Sequence, residues 1–174
     1  FTRSEASFKA MQVIARARPS SGPERQASAA AKPMALMEPR ADAGGVGFVV
    51  VGMGMGFSRA QELLGIPGAR LVGVCDQNAE RGRHAAAILG VPATAELVPW
   101  LENKAVDVIY VVTPSGLHGE IAEQALAAGK HVLTTKPMDV SVAACDRMIA
   151  AADRAERLLA VDFEMRYQDN IRTL

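Results

Sequence analysis

The sequence predicts an α/β fold, a doubly wound parallel sheet, with a long tail ahead of it. Three observations point there. From Gly45 onward, strand-like apolar runs alternate with helix-patterned stretches. Several of those runs are continuous rather than alternating, as in strands buried on both faces of a parallel sheet. The connections are short, roughly 2–6 residues, which implies right-handed βαβ crossovers.

Residues 1–44 stand apart from this pattern. They carry a net charge of +3, against −3 for the rest of a chain whose 174 residues sum to zero. Ala, Ser, Arg and Pro dominate, and the one periodic piece, Phe8 to Ile14, is too short to bury much. Such a segment cannot offset the entropy of ordering, so disorder is expected. An Arg- and Ser-rich, acid-poor composition suits a targeting peptide, but there is no apolar signal core and no twin arginine. The alternative is a non-native extension, with Met11, Met34 and Met37 downstream of Phe1. The domain boundaries expected are therefore 1–44 for the tail, 45–166 for the sheet domain, and 167–174 for a crossover leading out of it.

The elements follow in order. Gly47–Val51 reads as the first strand, opening into a helix. Leu71–Cys75 is the second strand. Ala79–Leu89 is a helix with Asn78 as N-cap and Gly90 as its stop. A short helix covers Glu96–Glu102, with Pro99 near its start and Trp100 packing it on the sheet. Val106–Val112 is a strand. The next helix places Leu117, Ile121, Ala125 and Ala128 on one face and ends at Gly129-Lys130. His131–Leu133 is a strand. Ser141 caps a helix whose inner stripe is Val142, Cys145, Met148, Ile149 and Ala152. Leu158–Val161 is the last strand.

Composition excludes several functions. Zero net charge argues against broad nucleic-acid or membrane binding, and no apolar run approaches the roughly 18–20 residues of a membrane span. Cys75 and Cys145 have neither disulfide nor metal-ligand spacing, which fits a reducing, cytoplasmic setting, and no metal site is expected. Both cysteines read as core residues.

Gly52-Met53-Gly54-Met55-Gly56 directly follows the first strand. Glycines there permit a tight turn, a close approach to a pyrophosphate and close helix–strand packing, while the helix N-terminus offers free N–H groups. Asp76, with Gln77 after it, ends the second strand about twenty residues on, where a carboxylate accepts hydrogen bonds from an adenosine ribose. The competing reading is a ligand-free glycine turn and an Asp capping the next helix. Strand context and spacing favour dinucleotide binding, and Asp76 favours NAD over NADP because it repels a 2′-phosphate. Arg81 and Arg83 lie on the next helix and read as solvated, though NADP stays possible. The usual third glycine would fall at Phe57. A loop shortened by one residue, with Gly56 in the third role, is the expected resolution.

With the glycine loop, Asp76, Val111-Val-Thr-Pro-Ser-Gly-Leu-His118 and Gly129-Lys-His-Val-Leu-Thr-Thr-Lys-Pro137 all in order, residues 45–174 resemble the Gfo/Idh/MocA oxidoreductases. The resemblance implies a Rossmann domain followed by a C-terminal α/β domain, and NAD(P)-dependent chemistry at a hydroxyl carbon of sugars, cyclitols or polyols. It implies that Thr113 and Pro114 line the cofactor groove, with Thr135, Lys136 and Pro137 also cofactor-binding, that His118 faces the nicotinamide side as a catalytic residue, and that Lys136 is the catalytic lysine. Thr135 stands where the family signature has a glutamate, which lends some weight to a non-catalytic dinucleotide-binding regulator as the alternative. Arg166-Tyr167 match the family's exit from the Rossmann domain.

A lysine suits the chemistry: a cation hydrogen-bonded to a carbinol oxygen stabilises the alkoxide developing as hydride leaves. The competing reading is an exposed lysine closing a strand, as expected for Lys130. His131 reads as structural and His84 as solvated. Asp162, Glu164 and Arg166 alternate after the last strand and either project into a substrate cleft or include a local Glu164–Arg166 ion pair. The family's substrate domain and the oligomer sheet it carries are expected to lie beyond Leu174. The chain as it stands is thus expected to bind NAD weakly and not to turn over a sugar or polyol, with homo-oligomers formed by the longer form.

Overall fold

The computed structural model describes residues 45–167. The expectations for residues 1–44 and for the segment after Tyr167 lie outside the described residues. Six parallel strands form one sheet in the order β3-β2-β1-β4-β5-β6. They are β1 (Val46–Val51), β2 (Ala69–Cys75), β3 (Ala93–Thr94), β4 (Val108–Val111), β5 (His131–Thr135) and β6 (Leu159–Asp162). The helices between them are α1 (Gly56–Leu64), α2 (Ala79–Leu89), α3 (Val98–Glu102), α4 (His118–Ala127) and α5 (Val142–Ala155). Short 3-10 turns occupy Ser115–Leu117 and Glu164–Tyr167.

Alternation along each strand builds a core on each face. Phe48, Val50, Val74, Tyr110 and Leu133 meet Ala60 and Leu63 of α1 and Ala85 and Leu89 of α2. Val49, Val51, Ile109, Val111 and Val132 meet Trp100, Ala122 and Leu126 of α4, and Met148 of α5. Helices on both faces make the sheet doubly wound. Burying each such aliphatic side chain contributes about 1.5–3 kcal/mol, so the continuous apolar runs find their partners above and below.

The caps read from sequence are present. Asn78 accepts the Arg81 N–H, Gly90 adopts a left-handed conformation (φ 70°), and Ser141 accepts the Ala144 N–H. Trp100 is buried, with its ring close against Gly73.

Several expectations are corrected. β3 has only two residues after Pro92, too few to show a period. β4 is shorter than its apolar run, although the flanking Val106 and Val112 are still buried. The buried face of α4 is His118, Gly119, Ala122, Ala125 and Leu126. Leu117 lies in the preceding 3-10 turn, out of phase with the helix, and Ala128 is exposed. In α5, Ala144, Met148, Ala151 and Ala152 face inward, while Val142 and Ile149 are 79% and 46% exposed. Alanines take the inward positions because α4 and α5 pack closely side by side.

Lys130 is also not a solvated strand-closing residue. It is buried, and its Nζ donates to the carbonyls of Asn103 (2.8 Å) and Val106 (2.9 Å). Its ammonium thus satisfies two carbonyls of the loop ahead of β4.

A candidate dinucleotide site at the carboxyl edge of the sheet

Strand order reverses between β1 and β4, and in open α/β sheets ligands sit outside the carboxyl ends at that switch point. A cleft of about 560 Å³ opens there. Gly52, Asp76, Gln77, Thr113 and Pro114 line it, together with Arg81 and Leu97.

The glycine loop is built as the shortened form. Gly52 has φ +94°, and a Cβ there would meet the Val112 carbonyl oxygen at 2.7 Å. Gly54 has nothing within 4 Å of its Cβ position, leaving open space where a phosphate must approach. Gly56 begins α1, and a Cβ would press on Val50, Met53 and Val112 at 3.1–3.3 Å. Gly56 thus fills the helix-packing role one residue early, and Phe57 packs against the α1–α2 face core. Met53 is buried, whereas Met55 is 70% exposed. The N-terminus of α1 has no side-chain cap and no acidic residue in its first turn, so its positive end is free to attract an anion.

Asp76 is 3% exposed and fixes the loop from the next strand. Its Oδ2 accepts the Met53 N–H (2.7 Å) and its Oδ1 the Asn78 N–H (2.8 Å). Arg81 is an exposed surface residue, as expected, but it is ion-paired. Its Nε and Nη2 donate to both Asp76 oxygens, at 2.7 and 2.8 Å. Burial pushes the Asp76 carboxyl up, but the Arg81 hydrogen bonds, the two backbone N–H groups and the Arg81 charge outweigh it, leaving the group below its ordinary value. Cys75, buried beside it, is pushed up by desolvation.

Across the switch point, Thr113 Oγ1 is buried without a hydrogen-bond partner. An orphaned hydroxyl, an open glycine and a free helix N-terminus together fit a dinucleotide: the loop for the pyrophosphate, Asp76 for the ribose, and Thr113 and Pro114 along the groove.

Thr135, Lys136 and Pro137 lie at the end of β5, outside that cleft but on the same edge. Asp76 and Lys136 are three strand spacings apart, about 14 Å at about 4.8 Å per strand. Thr135 is buried and Lys136 is exposed; the Lys136–Pro137 peptide is cis.

His118 is placed between the two groups but not as a free base. It is completely buried, with Nε2 2.9 Å from the Thr113 carbonyl and Nδ1 3.0 Å from both the Pro137 carbonyl and Thr134 Oγ1. Neither nitrogen is left to face a ligand, which corrects its expected catalytic role. Just beyond, Asp139 accepts N–H bonds from Gly119 and Ser141. Burial pushes its carboxyl up, but these backbone N–H groups and the nearby His118 bring it below its ordinary value.

The residues after β6 also depart from expectation. They do not alternate, because Glu164–Tyr167 form a 3-10 turn. Asp162 is buried rather than directed into a cleft, and accepts the Tyr110 hydroxyl at 2.7 Å. Burial raises its carboxyl, opposed by Tyr110 and by Arg59. Arg59 of α1, which sequence reasoning passed over, is buried with Nε 4.0 Å from Asp162 and Nη1 3.0 Å from Glu62. Arg166 stacks over the Phe163 ring, 4.7 Å from its centroid.

His131 Nδ1 accepts the Leu158 N–H, a structural role as expected. Among the described residues, no group of three or more His, Cys, Asp or Glu is arranged to hold a metal, and no helix is long and apolar enough to cross a membrane.

The sequence profile of the Gfo/Idh/MocA group, an oxidoreductase family with an NAD-binding Rossmann fold, matches residues 46–163. The chain belongs to that family. Its β1–β6 unit is the family's NAD-binding domain. UDP-N-acetylglucosamine 3-dehydrogenase of Acidithiobacillus ferrooxidans is 35% identical over 113 residues, 64% of this chain and 35% of that enzyme. Inositol 2-dehydrogenase 1 of Saccharopolyspora erythraea is 35% identical over 68% of this chain and 36% of its own length. The WlbA dehydrogenase of Bordetella pertussis, solved with NADH and UDP-GlcNAcA, superposes with a TM-score of 0.66 at 33% identity, covering 74% of this chain and 37% of that one. The chain thus spans little more than a third of the length of these relatives.

Proposed function

We propose that this chain supplies the cofactor-binding half of an NAD-dependent dehydrogenase acting on a hydroxyl carbon of a sugar, cyclitol or related polyol. One observation carries the reading: Asp76, the glycine loop, Thr113 and Lys136 follow one another along a single sheet edge, at successive strand ends. Gly54 and the N-terminus of α1 receive the pyrophosphate. Asp76 accepts from the ribose hydroxyls, exchanging Arg81 hydrogen bonds to do so. Thr113 and Pro114 line the path toward β5. Lys136, exposed at the β5 end, donates to the substrate oxygen and stabilises its developing negative charge. When bound, NAD supplies the hydride acceptor.

The dehydrogenases of UDP-N-acetylglucosamine and inositol among the relatives support the substrate class. Homo-oligomers form, in this reading, through the family's second domain. Calorimetry of this chain with NAD should give saturable heat, and no heat at millimolar cofactor would overturn the reading. In a form carrying the substrate domain, NADH formation across a panel of inositols and nucleotide sugars identifies the substrate. Binding without any turnover would favour the regulatory alternative.

A further inference from the structure

We infer that His118 is a positioning residue that continues the sheet where its own hydrogen bonding stops, locking the cofactor-groove elbow to the lysine loop. The register between β4 and β5 ends at the Val111–Thr134 pair. Beyond that pair the strand ends part: one enters Thr113-Pro114, the other Lys136-Pro137. The imidazole lies between them. It starts α4, five residues after Thr113, and the 3-10 turn of Ser115–Leu117 folds it back onto the strand end it came from.

Nε2 lies against the Thr113 carbonyl at 2.9 Å. Nδ1 lies against the Pro137 carbonyl at 3.0 Å and the Met138 carbonyl at 3.3 Å, with Thr134 Oγ1 at 3.0 Å. Carbonyl oxygens only accept, so the ring N–H at Nε2 donates to Thr113, and the bare Nδ1 accepts the Thr134 hydroxyl at the end of β5. The ring spans the gap in place of a further ladder rung. Asp139 makes a second tie between the same loop and the same helix through the Gly119 N–H (2.9 Å).

The arrangement couples two functions. Thr113 borders the cofactor groove, and Thr134, on β5, lies two residues before Lys136. A displacement of either end is transmitted through one rigid, completely buried ring with no polar atom free. His118 therefore sets the distance between groove and ammonium without touching either ligand. This inference rests on the reading of Lys136 as the substrate-oxygen donor.

The test uses His118→Gln, whose amide mimics Nε2, and His118→Asn, whose amide mimics Nδ1, with His118→Ala for comparison. In the cofactor-free chain, the backbone ¹³C carbonyl resonance of Thr113 and the side-chain ¹³Cβ resonance of Thr134 report the two links. His118→Gln should move Thr134 and keep Thr113, and His118→Asn should do the reverse. In NAD titrations, His118→Asn should weaken binding about tenfold and His118→Gln less than about twofold. The Lys136 side-chain resonance should respond to NAD in the wild type and lose that response in His118→Gln. Resonances of Thr113 and Thr134 that move together in both variants, or not at all, would overturn the brace. Absence of NAD binding by the wild type would defeat the proposed function, while that pattern would still decide the structural link.

Discussion

Asp76 and Arg81 show how one ion pair sets the terms on which the ribose end of the cleft can be used. The carboxylate is already engaged by two backbone N–H groups and a bidentate guanidinium. The guanidinium beside it offsets the charge that would repel a 2′-phosphate. Arg81→Ala should therefore lower NADP affinity about tenfold while changing NAD affinity little, as measured by parallel titrations with the two cofactors. Equal losses for both would mean that Arg81 serves only to hold Asp76. A second residue-scale prediction concerns His131. Burial, and then the Arg157 charge, lower its folded-state value, and its bare Nδ1 accepts from Leu158. The unfolded chain takes up the proton first, so stability is full above pH 6.5 and falls as pH drops below it. His131→Asn, which keeps an acceptor but does not titrate, should flatten that part of the melting-temperature profile. The importance of Asp76 was legible because its place depends on strand length and spacing alone. The partners of Arg81, Lys130 and Arg59 were not, because a long flexible side chain can either extend into water or fold onto its neighbours, and tertiary contacts decide which.

Elements were read well where period and length agreed, and poorly where small residues carried the packing. β1, α2 and the cap residues Asn78, Gly90 and Ser141 appear as expected, since local chemistry determines them. The inward faces of α4 and α5 were read only in part: Ala125, Met148 and Ala152 face inward as expected, but hydrophobicity also singled out Val142 and Ile149, whereas close helix–helix contact selects alanine. The glycine loop resolves likewise: Gly56, not Phe57, takes the tight contact with β1. Gly73 makes the strongest test at this scale. A Cβ there would overlap the Trp100 ring, so Gly73→Ala should destabilise the chain by about 1–3 kcal/mol through overpacking. Denaturant titration checks this, and recovery in a Gly73→Ala/Trp100→Leu pair would place the cost at that contact.

At the scale of the molecule, the strand order does most to create the site. It brings residues 52, 76, 113 and 136, spread over more than eighty positions of chain, onto one edge. If Lys136 acts only on the reacting oxygen, Lys136→Ala in a form that turns over substrate should lower kcat at least about a hundredfold with NAD affinity unchanged. A parallel loss of NAD affinity would instead make Lys136 a cofactor ligand. NAD at about a hundred times its Kd should stabilise the wild-type chain by about 2.7 kcal/mol, seen as a raised melting temperature.

The burial of Lys130 gives the chain an internal clock for amine chemistry. Its ammonium is held by two carbonyls beneath the start of β5, whereas Lys136 stands open at the other end of the same strand. An acylating reagent should modify Lys136 from the folded state, but reach Lys130 only when the β4–β5 region opens. The two rates, read by mass spectrometry from one sample, separate what a bound cofactor shields from what it merely holds shut.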